Sequence, residues 1–163
     1  MSDFETSWAL SRKRFVDEVS DLGTEQLRWR LHPGALSIGE MALHVAGVEV
    51  SFSTQLLGLE TSAMQERLKA AATEGVVNDR PFPFEESEID PEQVSKALAE
   101  ARHLAEQVII EPSAEILSKQ IKSALGPVIT GDGALARLAF HPAYHQGQAY
   151  LIRTAPGFPK AQG

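Results

Sequence analysis

The side chains of this chain best suited to holding a metal ion are its five histidines, because it contains no cysteine. His141 and His145 are spaced i, i+4, which stacks them on one helical face a turn apart. Two imidazoles so placed can reach one ion at nitrogen–metal distances of about 2.0–2.1 Å. The pair alone is weak evidence. A metalloprotease of this spacing would need glutamate directly after the first histidine, and Pro142 stands there. A zinc protease is therefore not predicted.

His44 lies in the apolar run Met41-Ala42-Leu43-His44-Val45-Ala46-Gly47-Val48. Such a histidine is either a core residue bonded to a neighbour or a third ligand. Gly47 costs helix stability but lets another helix approach this face closely. Three imidazoles converging from two helices would leave positions open for water or substrate, as in a catalytic metal site. Gln148 falls within about 20° of His141 on the helical wheel. It is read either as a partner for a ligand or substrate, or as a polar residue buried by packing. Tyr144, about 60° to one side, could offer its hydroxyl to a bound oxyanion, although aromatic packing is the commoner use. Arg153 points away from this stripe and is expected to cap the helix C-terminus. Glu40 is accounted for by a capping role. His32 and His103 are read as partly exposed bystanders.

Elsewhere the chain is ordinary: 43% hydrophobic and 23% charged over 163 residues, enough for one domain, 1–163, with a full core. Its net charge of -7 repels phosphate backbones and argues against nucleic-acid binding. The longest basic cluster, Arg12-Lys13-Arg14, reads as a solvated helix face. Without cysteine there is no disulfide, thiolate ligand or cysteine nucleophile, so any thiol chemistry needs a thiol carried by another molecule. No apolar run approaches the ~18–20 residues of a membrane span. The acidic start Met1-Ser2-Asp3-Phe4-Glu5 does not suit a secretory signal. A cytoplasmic location without membrane contact is expected.

Helix punctuation organises the rest. Ser2-Asp3-Phe4-Glu5 is a capping box, followed by an apolar stripe through Phe4, Trp8, Phe15, Val19 and Leu22 and a stop at Gly23. Residues 24–27 read as one short turn. Ser37-Ile38-Gly39-Glu40 is a second capping box, opening a helix that ends near Gly58. A shorter helix is expected over 62–74 and a loop over 75–88. Asp90-Pro91-Glu92-Gln93 starts a third long helix, which runs to about Ile110. Residues 113–123 read as helical, with a break at Gly126-Pro127. The last helix is expected from Asp132 to about Thr154, kinked by Pro142 because proline removes the backbone bond to Leu138. No strand alternation is evident. Four main helices with long crossovers predict an all-α four-helix bundle.

Two of these stretches resemble the DinB/YfiT-like superfamily. Ser37-Ile38-Gly39-Glu40-Met41-Ala42-Leu43-His44 looks like its second-helix signature, a Ser-Ile-x-Glu start followed by a metal-binding histidine. His141-Pro142-Ala143-Tyr144-His145-Gln146-Gly147-Gln148 resembles its last-helix signature, two histidines four apart followed by Gly-Gln. The stretches Leu27 to Gly34 and Ala155 to Pro159 are similar in flavour, and 60–90 is the least matched. Pro142 departs from the acidic residue often found there. The resemblance implies an up-down-down-up four-helix bundle, commonly a homodimer, with His44, His141 and His145 holding zinc or nickel.

Two functions follow from that resemblance. One is a metal-dependent enzyme: a transferase or isomerase using a low-molecular-weight thiol, or a hydrolase, acting on a small-molecule substrate whose contacts come from loops such as 75–90. The other is a non-catalytic, stress-associated binding bundle whose metal is structural or vestigial.

Overall fold

The computed structural model describes residues 3–160. Its four long helices are α1 (Asp3–Val19), α3 (Ile38–Leu57), α5 (Pro91–Ile109) and α7 (Gly131–Arg153). Between them lie α2 (Thr24–Arg28), α4 (Ala63–Ala71), α6 (Ala114–Ser118) and an antiparallel pair, β1 (Gln120–Lys122) and β2 (Val128–Thr130). No helix is long and apolar enough to cross a membrane among the described residues.

Local chemistry sets the helix ends. The Ser37 hydroxyl accepts from the Glu40 backbone N–H (3.2 Å) and the Glu40 carboxylate accepts from the Ser37 N–H (2.8 Å), closing the expected capping box. Asp90 caps α5 through Gln93 N–H (2.8 Å), with Pro91 in the first turn. Gly58 ends α3 at φ 67°, a left-handed conformation that a side chain would strain. The proposed cap Ser2 lies outside the described residues.

Helix directions follow from the cross-contacts. Ser11 bonds to Ala139, Gln146 to Glu18 and Arg153 to Asp21, so α1 and α7 run parallel. His44 meets His141 while Leu56 lies against Gly131, so α3 runs antiparallel to α7. Gly39 faces Ile89 at one end of α3, and Arg12 spans Glu49 and Leu98 further along, so α5 runs with α3. The order is up-down-down-up, the topology expected of the bundle.

α3 is the centre of the bundle. Every residue from Ser37 to Val50 is buried, as expected of a helix enclosed on all sides. Within that apolar column sits Glu49, 1% exposed. Its carboxylate accepts from Trp8 Nε1 (2.8 Å) and Arg12 Nε (3.0 Å), and Arg12 also donates to the Leu98 carbonyl. Burial pushes the Glu49 carboxyl upward against the pull of Arg12 and Trp8. This network ties α1, α3 and α5 together. It also corrects the reading of Arg12-Lys13-Arg14 as a solvated face: Lys13 and Arg14 are exposed, but Arg12 is buried.

Other boundaries differ from expectation. α1 stops at Val19, although Leu22 remains buried. Helix over 113–123 shrinks to α6, because the chain turns extended at Gln120 and pairs Ile121 with Ile129. Strands of three residues are too short to show alternation, and the expected break at Gly126-Pro127 is the turn that joins them. α7 begins one residue before Asp132, capped by Thr130 through Gly133 N–H (3.4 Å). The 75–90 loop holds one 3₁₀ turn at Glu86–Glu88.

Candidate metal centre

α3 presents His44 toward α7, and α7 presents His141 and His145 one turn apart. Their Nε2 atoms converge: His44 to His141 at 3.1 Å and His145 to His141 at 3.0 Å. All three potential ligand atoms lie within 4.8 Å of one another. The rings cross steeply, with centroids 4.5 to 4.9 Å apart. Pro142 is buried inside α7, and the helix continues through it to Arg153. The proline leaves the two α7 histidines converging.

Hydrogen bonds settle which nitrogens carry protons. His44 Nδ1 lies 2.9 Å from the Ala71 carbonyl, which only accepts, so the proton is on Nδ1 and Nε2 presents a lone pair. His145 Nδ1 lies 2.7 Å from Gln148 Oε1 and is fixed the same way. His141 could donate from Nε2 to one neighbour, but a second lone-pair contact at about 3 Å would remain. Its Nδ1 is buried without a hydrogen-bond partner.

Burial lowers the basicity of all three rings. It does so for His44 against the opposing Ala71 bond; it brings His141 to about 2 with help from the other two imidazoles, and His145 to about 4 with help from His44. The cluster is neutral at physiological pH, the state a metal requires. Two nitrogens about 2.0–2.1 Å from one ion stand about 2.9–3.4 Å apart at angles of 90–109°. Both spacings to His141 fall in this range and the third ligand atom lies within 4.8 Å of the others, so these residues can hold a divalent ion.

Gly47 makes the arrangement possible. A Cβ there would lie 2.1 Å from the Leu68 carbonyl oxygen of α4. Glycine thus admits the α4 backbone beside α3, bringing the Ala71 carbonyl to His44, as the sequence suggested for this position.

The three rings form the floor of a cleft of about 450 Å³, walled mainly by Val48, Phe52, Val76, Val77, Leu125 and Phe140. Tyr144 lines it and is 54% exposed, its ring 5.0 Å edge-on from that of His145. Arg137 and Ser123 complete one side, joined by Arg137 Nη1 donating to Ser123 Oγ at 2.7 Å. No aspartate or glutamate lines the cleft among the described residues.

Sequence reasoning found the three histidines and the Gln148 contact. It missed the Ala71 carbonyl, which has no side-chain signature, and Arg137, which stands one turn before His141 and was legible from that spacing. Glu40 caps α3 as expected and also takes a two-point ion pair from Arg30, one contact at 2.7 Å. Arg153 does not cap its own helix: it pairs with Asp21 at 2.9 Å through both terminal nitrogens and donates to the Glu18 carbonyl. The α1–α7 packing brings that carboxylate within reach and wins over the helix end. His32 and His103 are exposed.

A family model described as mycothiol-S-transferase matches residues 4–156. No curated protein matches the chain. A crystal structure of a conserved protein from Enterococcus faecalis superposes with a TM-score of 0.66 at 18% identity, over 94% of this chain and 96% of that one. A DinB-like protein from Bacillus cereus superposes with a TM-score of 0.64 at 16% identity, over 98% and 95%. Both likenesses concern the fold.

Proposed function

The chain belongs to the mycothiol-S-transferase family, and we propose that it is a metal-dependent transferase joining a low-molecular-weight thiol to an electrophilic small molecule. His44, His141 and His145 are proposed as ligands of one zinc or nickel ion. The observation that carries the reading is the convergence of three neutral imidazoles, two with Nδ1 pinned, on the floor of an apolar cleft.

Held by His44, His141 and His145, a divalent ion would supply the Lewis acidity that makes a thiol more acidic near neutral pH. The chain's own residues do the rest. Ala71 and Gln148 hold two rings in the ligating tautomer. Val48, Phe52, Leu125 and Phe140 exclude water and cover the apolar part of the electrophile. With no carboxylate among the described residues that line the cleft, the thiol proton leaves to solvent rather than to a side-chain base. A sulfur–carbon bond forms, the carbon–leaving-group bond breaks, and the leaving group departs with its electron pair. The sulfur comes with the cosubstrate, since the chain has no cysteine. Hydrolysis would use the same histidines on water; the apolar lining favours the thiol reading. The homodimer belongs to this reading too, and a single-protomer mass by light scattering at micromolar concentration would reject it.

The test pairs metal analysis with turnover. The purified chain should carry about one zinc or nickel ion and conjugate a low-molecular-weight thiol to a benzylic halide. His44→Ala should lose both while its melting temperature stays near that of the metal-loaded parent. A structural metal would instead take several kcal/mol of stability with it. Absence of turnover with either metal across thiols would refute the transferase.

A further inference from the structure

We propose that Arg137 makes the cleft selective for molecules bearing a carboxylate, which it binds while the rest of the molecule lies over the histidines. The inference rests on the reading above, in which this cleft receives the substrate.

Arg137, His141 and His145 stand at i, i+4 and i+8 on α7, so they share one face at about 6 Å intervals along the axis. Apart from the histidine floor, Tyr144 and Ser123, the rest of the lining is apolar, and Arg137 is the cation among the described lining residues. Several other arginines are ion-paired, Arg12 with Glu49, Arg30 with Glu40, Arg67 with Glu88 and Arg153 with Asp21, while Arg28 bonds backbone carbonyls away from the cleft. Arg137 instead has a neutral partner, the Ser123 hydroxyl, which accepts at 2.7 Å and also accepts the Leu125 N–H at 3.2 Å. Ser123 is buried in the turn joining the two strands, so it fixes the guanidinium at the cleft wall without cancelling its charge. A guanidinium offers five donors in a planar fork that matches a carboxylate at two points. In a chain of net charge -7, a cleft with one arginine and no acidic residue among its described lining residues is a local reversal of sign that draws anions.

The preferred ligand is therefore a small apolar or aromatic molecule with a carboxylate a few atoms from its reacting carbon. The carboxylate takes Arg137, and the apolar body packs on Phe52, Leu125 and Phe140.

Calorimetry or NMR titration with 4-methylbenzoate and its uncharged analogue 4-methylbenzamide tests this, on the chain both metal-loaded and stripped by chelator. The parent should prefer the carboxylate in both states. Arg137→Ala should weaken carboxylate binding about tenfold or more, while the amide is unaffected. Arg137→Lys should recover part of the loss, keeping the charge without the fork. Matching melting curves show that the variants are folded. Equal binding of the two probes by the parent overturns the proposal. So does carboxylate binding that survives Arg137→Ala, or that appears only with metal and ignores residue 137. Because the stripped chain is titrated too, failure of metal binding or turnover would be seen separately from failure of carboxylate recognition.

Discussion

Gly47→Ala separates two physical effects that predict opposite signs. In an isolated helix, alanine is favoured over glycine by about 0.8–1.0 kcal/mol. Here the new methyl would sit 2.1 Å from the Leu68 carbonyl oxygen and 3.0 Å from the Ala72 nitrogen, both backbone atoms of the α4 segment. Backbone cannot rotate away, so α4 must retreat by more than ~1 Å to restore van der Waals contact. Overpacking of this kind costs typically 1–3 kcal/mol, and a clash with main chain belongs at the upper end. The net expectation is a loss of about 2 kcal/mol, or roughly 4–8 °C in melting temperature at this chain length. The retreat also carries off the Ala71 carbonyl, 2.9 Å from His44 Nδ1. Loss of such a ligand-orienting bond weakens metal binding about 10–100-fold. Thermal and urea denaturation of the metal-free protein, with zinc affinity measured by chelator competition, read the two effects. A variant more stable than the parent, with unchanged zinc affinity, would refute the argument that close α3–α4 contact orients His44.

Glu49→Ala should cost about 3–5 kcal/mol in urea denaturation, because it leaves Arg12 buried without its carboxylate; a loss below about 1 kcal/mol would contradict the buried-network account. Replacing both partners with apolar residues, as in an Arg12→Met, Glu49→Leu protein, should restore most of that stability. Gln148→Ala should lower zinc affinity about 10–100-fold and leave the metal-free melt nearly unchanged, since its carbonyl fixes His145; undiminished affinity would remove it from the site. Glu88 should titrate near 2, well below the ordinary 4.5, chiefly because Arg67 bonds its carboxylate, with a bond from the Glu85 N–H adding to this. The pair's stabilising effect is thus present above about pH 4.5 and disappears as pH falls through about 2. An NMR midpoint that does not rise in Arg67→Ala would count against that pairing.

Features encoded by neighbours in sequence were legible. The capping box at Ser37, the Asp90-Pro91 start and the Gly58 stop bracket α3 and α5, because each rests on residues within one turn. The histidine cluster was legible through two short signatures, although the 97 positions between His44 and His141 close only through packing of α3 on α7. Contacts whose partners lie far apart were not legible. Arg12 and Glu49 are 37 residues apart, and a charge read from its neighbours alone looks solvated. Arg153 was misassigned for the same reason: its partner Asp21 is 132 residues away. The hairpin escaped because three residues per strand give no period to detect.

The segment over 60–90 matched the recognised signatures least, yet it supplies one pinning contact and part of the cleft wall. What it gives to His44 is a main-chain carbonyl, which any residue at position 71 would offer if the backbone ran there. What it gives to the cleft is apolar surface from Val76 and Val77, which other apolar residues could supply. The sequence requirement for that contact is therefore displaced onto α3, at Gly47, where lack of a side chain decides how near α4 can come. A segment can thus lack a recognisable motif and still orient a ligand, provided the helix it packs against keeps the space open.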